Sequence, residues 1–129
     1  MIITRTPLRT SFVGGGSDLP SFYRKTKGAV ISTTIDKYVY VSAHPYFYAD
    51  RYLLKYSKTE EVANPSDIKN PIIRTSIIKS NMESGIEISS SADVPAGTGL
   101  GSSSTFTVGI LNCLNYYKGK SLSSRDLAK

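Results

Sequence analysis

Hydrophobic and polar residues alternate through the first thirteen positions, MIITRTPLRTSFV, with Ile3, Leu8, Phe12 and Val13 as the apolar set. A period of two predicts a strand, interrupted near Pro7 because proline brings no N–H to a ladder. The alternation stops in GGGSDLPSFYRKTKG (14–28), a loop with a short helical turn expected after Ser17–Asp18. Residues 29–46, AVISTTIDKYVYVSAHPY, are rich in side chains that suit a pleated, half-buried surface, and predict a long strand. RYLLKYS (51–57) reads as its antiparallel neighbour and EEVANPSDIKNP (60–71) as loop with helix starts. IIRTSIIKSNM (72–82) reads as a helix with Ile77 and Ile78 inward, and GIEISSSAD (85–93) as a further alternating strand. From Ser103 to Tyr117 the spacing becomes three and four, placing Phe106, Ile110, Leu111, Leu114 and Tyr117 on one helical face. Tyrosines 38, 40, 46, 48, 52 and 56 fall at alternating strand positions and are expected mostly to pack the sheet. The order of strands, helix, strand, helix predicts an α+β domain, a mostly antiparallel sheet with packed helices.

Composition narrows this picture. A chain of 129 residues is expected to form one domain with a real core. It has no apolar run long enough for a membrane span or a signal peptide, so a cytoplasmic protein without a membrane partner is expected. One cysteine and one histidine exclude an internal disulfide and a Cys/His metal cluster. Cys113, within the apolar helix pattern, is expected to be a buried thiol, and His44, closing the long strand, a structural histidine. The net charge of +6 would suit nucleic acid, but lysines and arginines are scattered, with no dense run or aromatic-interleaved stripe. A small phosphorylated ligand needs only a few positive groups. A third source is an acidic partner domain beyond this sequence. SLSSRDLAK (121–129) favours the third: Ser123, three residues before Asp126, signals a helix start with Leu127 opening its apolar face. One turn of helix does not hold itself in water. Residues 1–129 are therefore expected to be one domain of a longer protein, truncated before its C-terminal domain.

The chemistry concentrates in VPAGTGLGSSST (94–105), where glycines at 97, 99 and 101 run into the last long helix. A helix start leaves its first N–H groups unpaired and partly positive. A glycine loop leading into it lets backbone amides wrap an anion, and serine hydroxyls add donors to phosphate or ligands to Mg²⁺. The bland alternative is a surface loop with a serine N-cap. Two better-known phosphate motifs do not fit. Gly119-Lys120-Ser121 mimics the end of a P-loop, but the first glycine would fall on Leu114. The dinucleotide fingerprint fails because Ser102 stands where its third glycine belongs.

PAGTGLGSSST resembles the P-x-x-x-G-L-G-S-S-[AS] nucleotide loop of the GHMP small-molecule kinases, and TPLRTSFVGGGSDLP is similar to that family's first substrate-binding motif. The G-G-G-[ST]-D-L-P form, with ISTTIDKYVYV downstream, is similar to the heptose 7-phosphate kinase branch and, more distantly, to fucokinases. The resemblance implies a ribosomal-S5-domain-2-like N-terminal domain and phosphorylation of a sugar hydroxyl by ATP with Mg²⁺. It assigns Pro95, Gly97, Gly99, Leu100, Gly101, Ser102, Ser103 and Ser104 to ATP, with Ser103 as the Mg²⁺ ligand. It places Gly15, Gly16, Ser17 and Asp18 at the sugar and Arg9 near the transferring phosphoryl group, where a guanidinium stabilises charge. Without the resemblance, Asp18 reads equally as an N-cap for the turn at 19–23, and Arg9 as a strand-surface arginine. Galactokinases have Glu-His where this chain has Gly15-Gly16, which points away from galactose. Arg24, Lys25 and Lys27 are candidates for a substrate phosphate or a solvated basic turn. The resemblance implies that the catalytic base, the acid sharing the Mg²⁺ and a third glycine-rich motif all lie after Lys129. The expected activity is phosphorylation of the anomeric hydroxyl of a heptose 7-phosphate. The alternatives are another sugar-1-kinase such as fucokinase, or a non-catalytic S5-like RNA-binding module, for which a glycine–serine loop at a helix start has no use.

Overall fold

In the computed structural model, residues 1–127 are described. Of the last segment, Ser124–Leu127 form a helical turn (α4), opened by the expected Ser123–Asp126 pair: the Ser123 hydroxyl donates to the Asp126 carboxylate at 2.6 Å. Ala128 and Lys129, the rest of that expected helix, lie outside the described residues.

Five strands form one mixed sheet. β1 (Ile2–Val13) and β2 (Ile31–Pro45) are a long antiparallel hairpin, joined by a loop that carries α1 (Pro20–Tyr23). β3 (Tyr52–Lys55) and β4 (Thr59–Val62) form a second, short hairpin. A 3-10 turn (Pro65–Asp67) and α2 (Pro71–Lys79) then carry the chain across to β5 (Ile86–Ala92), and α3 (Ser102–Tyr117) follows. The strand order is β1-β2-β5-β3-β4, antiparallel except where β3 meets β5.

That order corrects the sequence reading in one respect. RYLLKYS is a strand, but its neighbours are β4 and β5 and not the long strand β2. The α2 crossover returns the chain between the two hairpins. There β5 lays Ile88 between Ala43 and Leu54, and Ile86 beside Tyr52, all of them buried. EEV, expected as loop, is strand β4, whose Glu60 faces inward. Within β1 the buried side chains are Thr4 and Leu8, whereas Ile3, Phe12 and Val13 are 62%, 69% and 64% exposed. The inward phase starts from Ile2 and runs through threonines to Leu8, so of the four apolar positions only Leu8 lies on the buried face. In α2 the inward residues are Ile73, Ser76 and Ile77, while Ile78 lies on the outer side. Asn70 caps this helix, its side chain accepting from the amides of Ile72 and Ile73.

α3 packs across β1 and β2 and buries Thr105, Gly109, Ile110, Cys113 and Leu114, with Phe106 and Tyr117 at the margin of the same core. Gly109 is the point of closest approach: a Cβ there would sit 3.0 Å from the Thr6 hydroxyl oxygen and 3.4 Å from a Val41 methyl. The Thr4 hydroxyl uses that proximity to donate to the Gly109 carbonyl at 2.9 Å. Leu8, Val41 and Leu54 from the sheet meet Ile110 and Leu114 from α3 and Ile73 and Ile77 from α2 in one core. Cys113 lies within it, and burial pushes its thiol up to about 11, the behaviour of an inert core residue.

Candidate nucleotide and sugar site

The glycine–serine loop takes the conformation that its composition requires. Gly97, Gly99 and Gly101 have φ of +84°, +74° and +71°, in the left-handed region that side chains resist. Gly101 is the N-cap of α3 and accepts the first helical bond, from Thr105 N at 2.9 Å. A Cβ on Gly101 would lie 3.3 Å from both Arg9 Cγ and Ser104 Oγ, whereas in front of Gly97 and Gly99 the space is open. The amides of Ser102, Ser103 and Ser104, in the first turn of α3, have no acceptor one turn back. The three serine hydroxyls differ. Ser104 Oγ donates to the Gly101 carbonyl at 2.8 Å and so braces the loop. Ser102 Oγ is buried with no hydrogen-bond partner, and Ser103 is exposed.

β1 holds this loop in place. Its pairing with β2 shifts register between Pro7 and Arg9, which re-aims the strand beside the loop. The Arg9 amide donates to the Leu100 carbonyl at 3.2 Å, and the Arg9 side chain passes beside Gly101. Its guanidinium then donates to Ser11 Oγ at 2.8 Å. Ser11 Cβ in turn lies 3.9 Å from where a Gly15 Cβ would be. The sequence thus brings Arg9 between the two glycine-rich segments, although they are some eighty residues apart along the chain.

The second segment is closed on itself. A Cβ on Gly14, at φ +81°, would fall 1.8 Å from the Ala29 carbonyl oxygen, so only glycine lets the two ends of the 14–28 loop meet. The Ser17 hydroxyl lies 2.7 Å from the Gly14 carbonyl and 2.9 Å from that of Ala29, and clasps the loop from inside. Asp18 does not cap α1. The cap residue is Leu19, which makes no side-chain bond, and Asp18 Oδ1 accepts from the Gly16 amide at 3.1 Å. Its carboxylate lines a small cavity of about 270 Å³ with Tyr23 and Val30. Gly15 and Gly16 are exposed beside it, as are Arg24, Lys25 and Lys27. His44 is tied to the sheet, its ring 3.5 Å from the Glu87 carboxylate, which Lys55 at 2.7 Å holds below the usual carboxylate range.

A cavity of about 320 Å³ opens at the foot of the glycine–serine loop. One wall is Val94, Ala96, Ser102, Ser103 and Phe106; the other is Tyr56, Ser57, Asn70 and Ile72, with Val39 and Ser90–Ala92 as its floor. Apolar surface predominates in the lining, beside six hydroxyl-bearing residues and one amide, the make-up of a site for a flat group with polar edges. Sequence reasoning missed this cavity as a unit. Tyr56 was among the strand tyrosines, but nothing along the chain separated it from the others.

Comparisons with known proteins agree with the geometry. Residues 69–129 match the GHMP kinases N terminal domain. The chain is 29% identical over 145 residues to D-glycero-alpha-D-manno-heptose 7-phosphate kinase of Campylobacter jejuni, covering 99% of this chain and 41% of that one. The fold matches the crystal structure of a D-glycero-D-manno-heptose 1-phosphate kinase from Bacteriodes thetaiotaomicron with a TM-score of 0.83 at 23% identity, over 99% of this chain and 45% of that one. It also matches Methanococcus jannaschii mevalonate kinase, with a TM-score of 0.74 at 21% identity, over 98% and 43%. The chain spans less than half the length of each of these relatives. No helix among the described residues is long and apolar enough to cross a membrane. Residues 69–129 thus match the GHMP kinases N terminal domain, and the chain as a whole has the α+β fold of the heptose 1-phosphate kinase and mevalonate kinase structures.

Proposed function

We propose that this chain is the nucleotide-binding part of an ATP-dependent sugar kinase acting on the anomeric hydroxyl of a heptose 7-phosphate. One observation carries the reading: a left-handed glycine loop, pinned to β1 by Arg9, delivers unpaired amides and the unpartnered Ser102 hydroxyl to the edge of an apolar cavity. Surface loops that merely cap a helix do not need open space in front of two left-handed glycines and an orphaned hydroxyl at the third step.

In this reading the amides of residues 99–104 receive the phosphates, Pro95 and Gly97 shape the approach, and the cavity takes the adenine base. Bound ATP supplies the γ-phosphoryl group, and Mg²⁺ the charge that neutralises it. Mg²⁺ keeps several waters and takes few protein ligands when phosphate is present, and the exposed Ser103 hydroxyl fits the place of one such ligand. No cluster of three or more His, Cys, Asp or Glu exists among the described residues, so the cation would rest mainly on phosphate oxygens. Arg9, beside Gly101, sets a fixed positive charge at the loop where a transferring group carries its negative charge. Asp18 accepts hydrogen bonds from the sugar hydroxyls, with Gly15 and Gly16 leaving room for a substrate larger than a hexose and Ser17 keeping the loop closed. The reading puts the catalytic base and the second metal ligand outside residues 1–129, and the chain spans less than half the length of its relatives.

The test is ADP release by the complete protein with heptose 7-phosphate, fucose and galactose as acceptors. Turnover with the heptose phosphate above the other two supports the reading. Preference for galactose, or turnover with none of the three, contradicts it.

A further inference from the structure

Glu60 is a charged side chain only 9% exposed, on the inward face of β4, and the residues around it meet it with donors alone. The Tyr56 hydroxyl donates to Oε1, and the Lys69 amide donates to Oε2 at 2.9 Å. The backbone of Asn70, the next residue along, also favours the charged carboxylate. Burial alone would raise this carboxyl, yet these donors hold it below its ordinary value, so it is ionised at neutral pH. Of the two donors, Tyr56, just after β3, lines the 320 Å³ cavity, and Lys69 immediately precedes Asn70, the α2 cap, which also lines it. Glu60 itself does not line it.

We propose that Glu60 is a positioning residue, whose buried carboxylate locks the Tyr56 ring to the start of α2 and so fixes the outer wall of the cavity against the nucleotide base. This deepens the proposed function and rests on its reading that the cavity takes adenine. The logic is preorganisation. The short hairpin and the helix cap that build this wall share no ladder, and the carboxylate ties them together. The phosphates lie on the other side of the cavity, against α3, where Glu60 makes no contact. Loss of the clamp should therefore weaken the base and spare the phosphates.

The experiment compares binding of ATP and of inorganic tripolyphosphate, by calorimetry, to the complete protein and to Glu60→Ala, Glu60→Gln and Tyr56→Phe. ATP should bind the unaltered protein more tightly than tripolyphosphate does. Glu60→Ala should lose about tenfold or more in ATP affinity, with tripolyphosphate within about twofold. Glu60→Gln, which keeps one acceptor oxygen, should recover part of that loss, and Tyr56→Phe should lose ATP affinity alone by a smaller factor. If Glu60→Ala does not fold, the same ATP-only pattern is read from the other two. Equal losses for both ligands, or no loss of ATP in any variant, would overturn the clamp while leaving the base in the cavity. If the unaltered protein binds ATP no more tightly than tripolyphosphate, the base is not held there, and both readings fall.

Discussion

At the scale of single residues, the two glycine-rich segments ask different things of their polar side chains. Ser17 and Ser104 spend their hydroxyls on neighbouring carbonyls and hold loops together. Asp18 turns one oxygen back to the Gly16 amide, a bond that uses only part of the carboxylate's acceptor capacity. Asp18→Asn in the complete protein should raise the sugar KM by about tenfold to a hundredfold, the loss of charge-assisted hydrogen bonds, while the ATP KM stays within about twofold. Steady-state kinetics with each substrate varied in turn check it, and an unchanged sugar KM would leave Asp18 only its loop bond. Tyr56 carries a second residue-scale prediction. Its hydrogen bond to Glu60, and then burial, push its phenol up to about 12, against about 10 in the unfolded chain. A group raised by folding contributes stability that is complete below pH 10 and is lost as pH climbs toward 12. Thermal melts from pH 9 to 12 should show the unaltered protein losing stability across that window faster than Tyr56→Phe. The sequence announced the glycines, the serines and Asp18 by their crowding. It was silent on Glu60, because burial of an acid is decided by three segments that meet only after folding.

At the scale of elements, α3 serves both the core and the site. Its first turn faces the loop, and its middle is pressed on the β1–β2 hairpin through Gly109. Gly109→Leu should push the helix off Thr6 and Val41 and cost about 1–3 kcal/mol by overpacking. Because the same helix carries the amides of residues 102–104, ATP affinity should fall along with Tm, as denaturation and calorimetry on one variant would show. An unchanged Tm would mean that the contact relaxes without strain. The elements themselves were largely legible: strand alternation, the three-and-four spacing of α3 and the Ser123–Asp126 start all stand where the pattern put them. Partners and phases were less so. Alternation in RYLLKYS identifies a strand but carries no record of its neighbours, which depend on where the α2 crossover sets β5 down. β1 hid its inward face behind threonines, and α2 placed Ile73 where the pattern offered Ile78, because two adjacent isoleucines fit either phase. The left-handed loop running into a helix start was legible because it is contiguous, and the cavity beside it was not because its walls are assembled from five stretches of chain.

At the scale of the whole molecule, Arg9 joins the two glycine-rich segments, and the relatives have more than half their length beyond what this chain covers. Residues 1–129 on their own should therefore bind ATP weakly and release no sugar-dependent ADP, since an open site leaves its phosphate contacts in water. A coupled assay on the fragment beside the complete protein checks this, and turnover near the complete protein's rate would place the catalytic groups in this half. The central claim is that the left-handed glycine loop and the start of α3 are a phosphate cradle with a base pocket at its foot. The most direct measurement is a crystal structure with a non-hydrolysable ATP analogue and Mg²⁺. It should show phosphate oxygens against the amides of residues 99–104 and adenine between Tyr56 and Phe106; phosphates bound anywhere else would contradict the account.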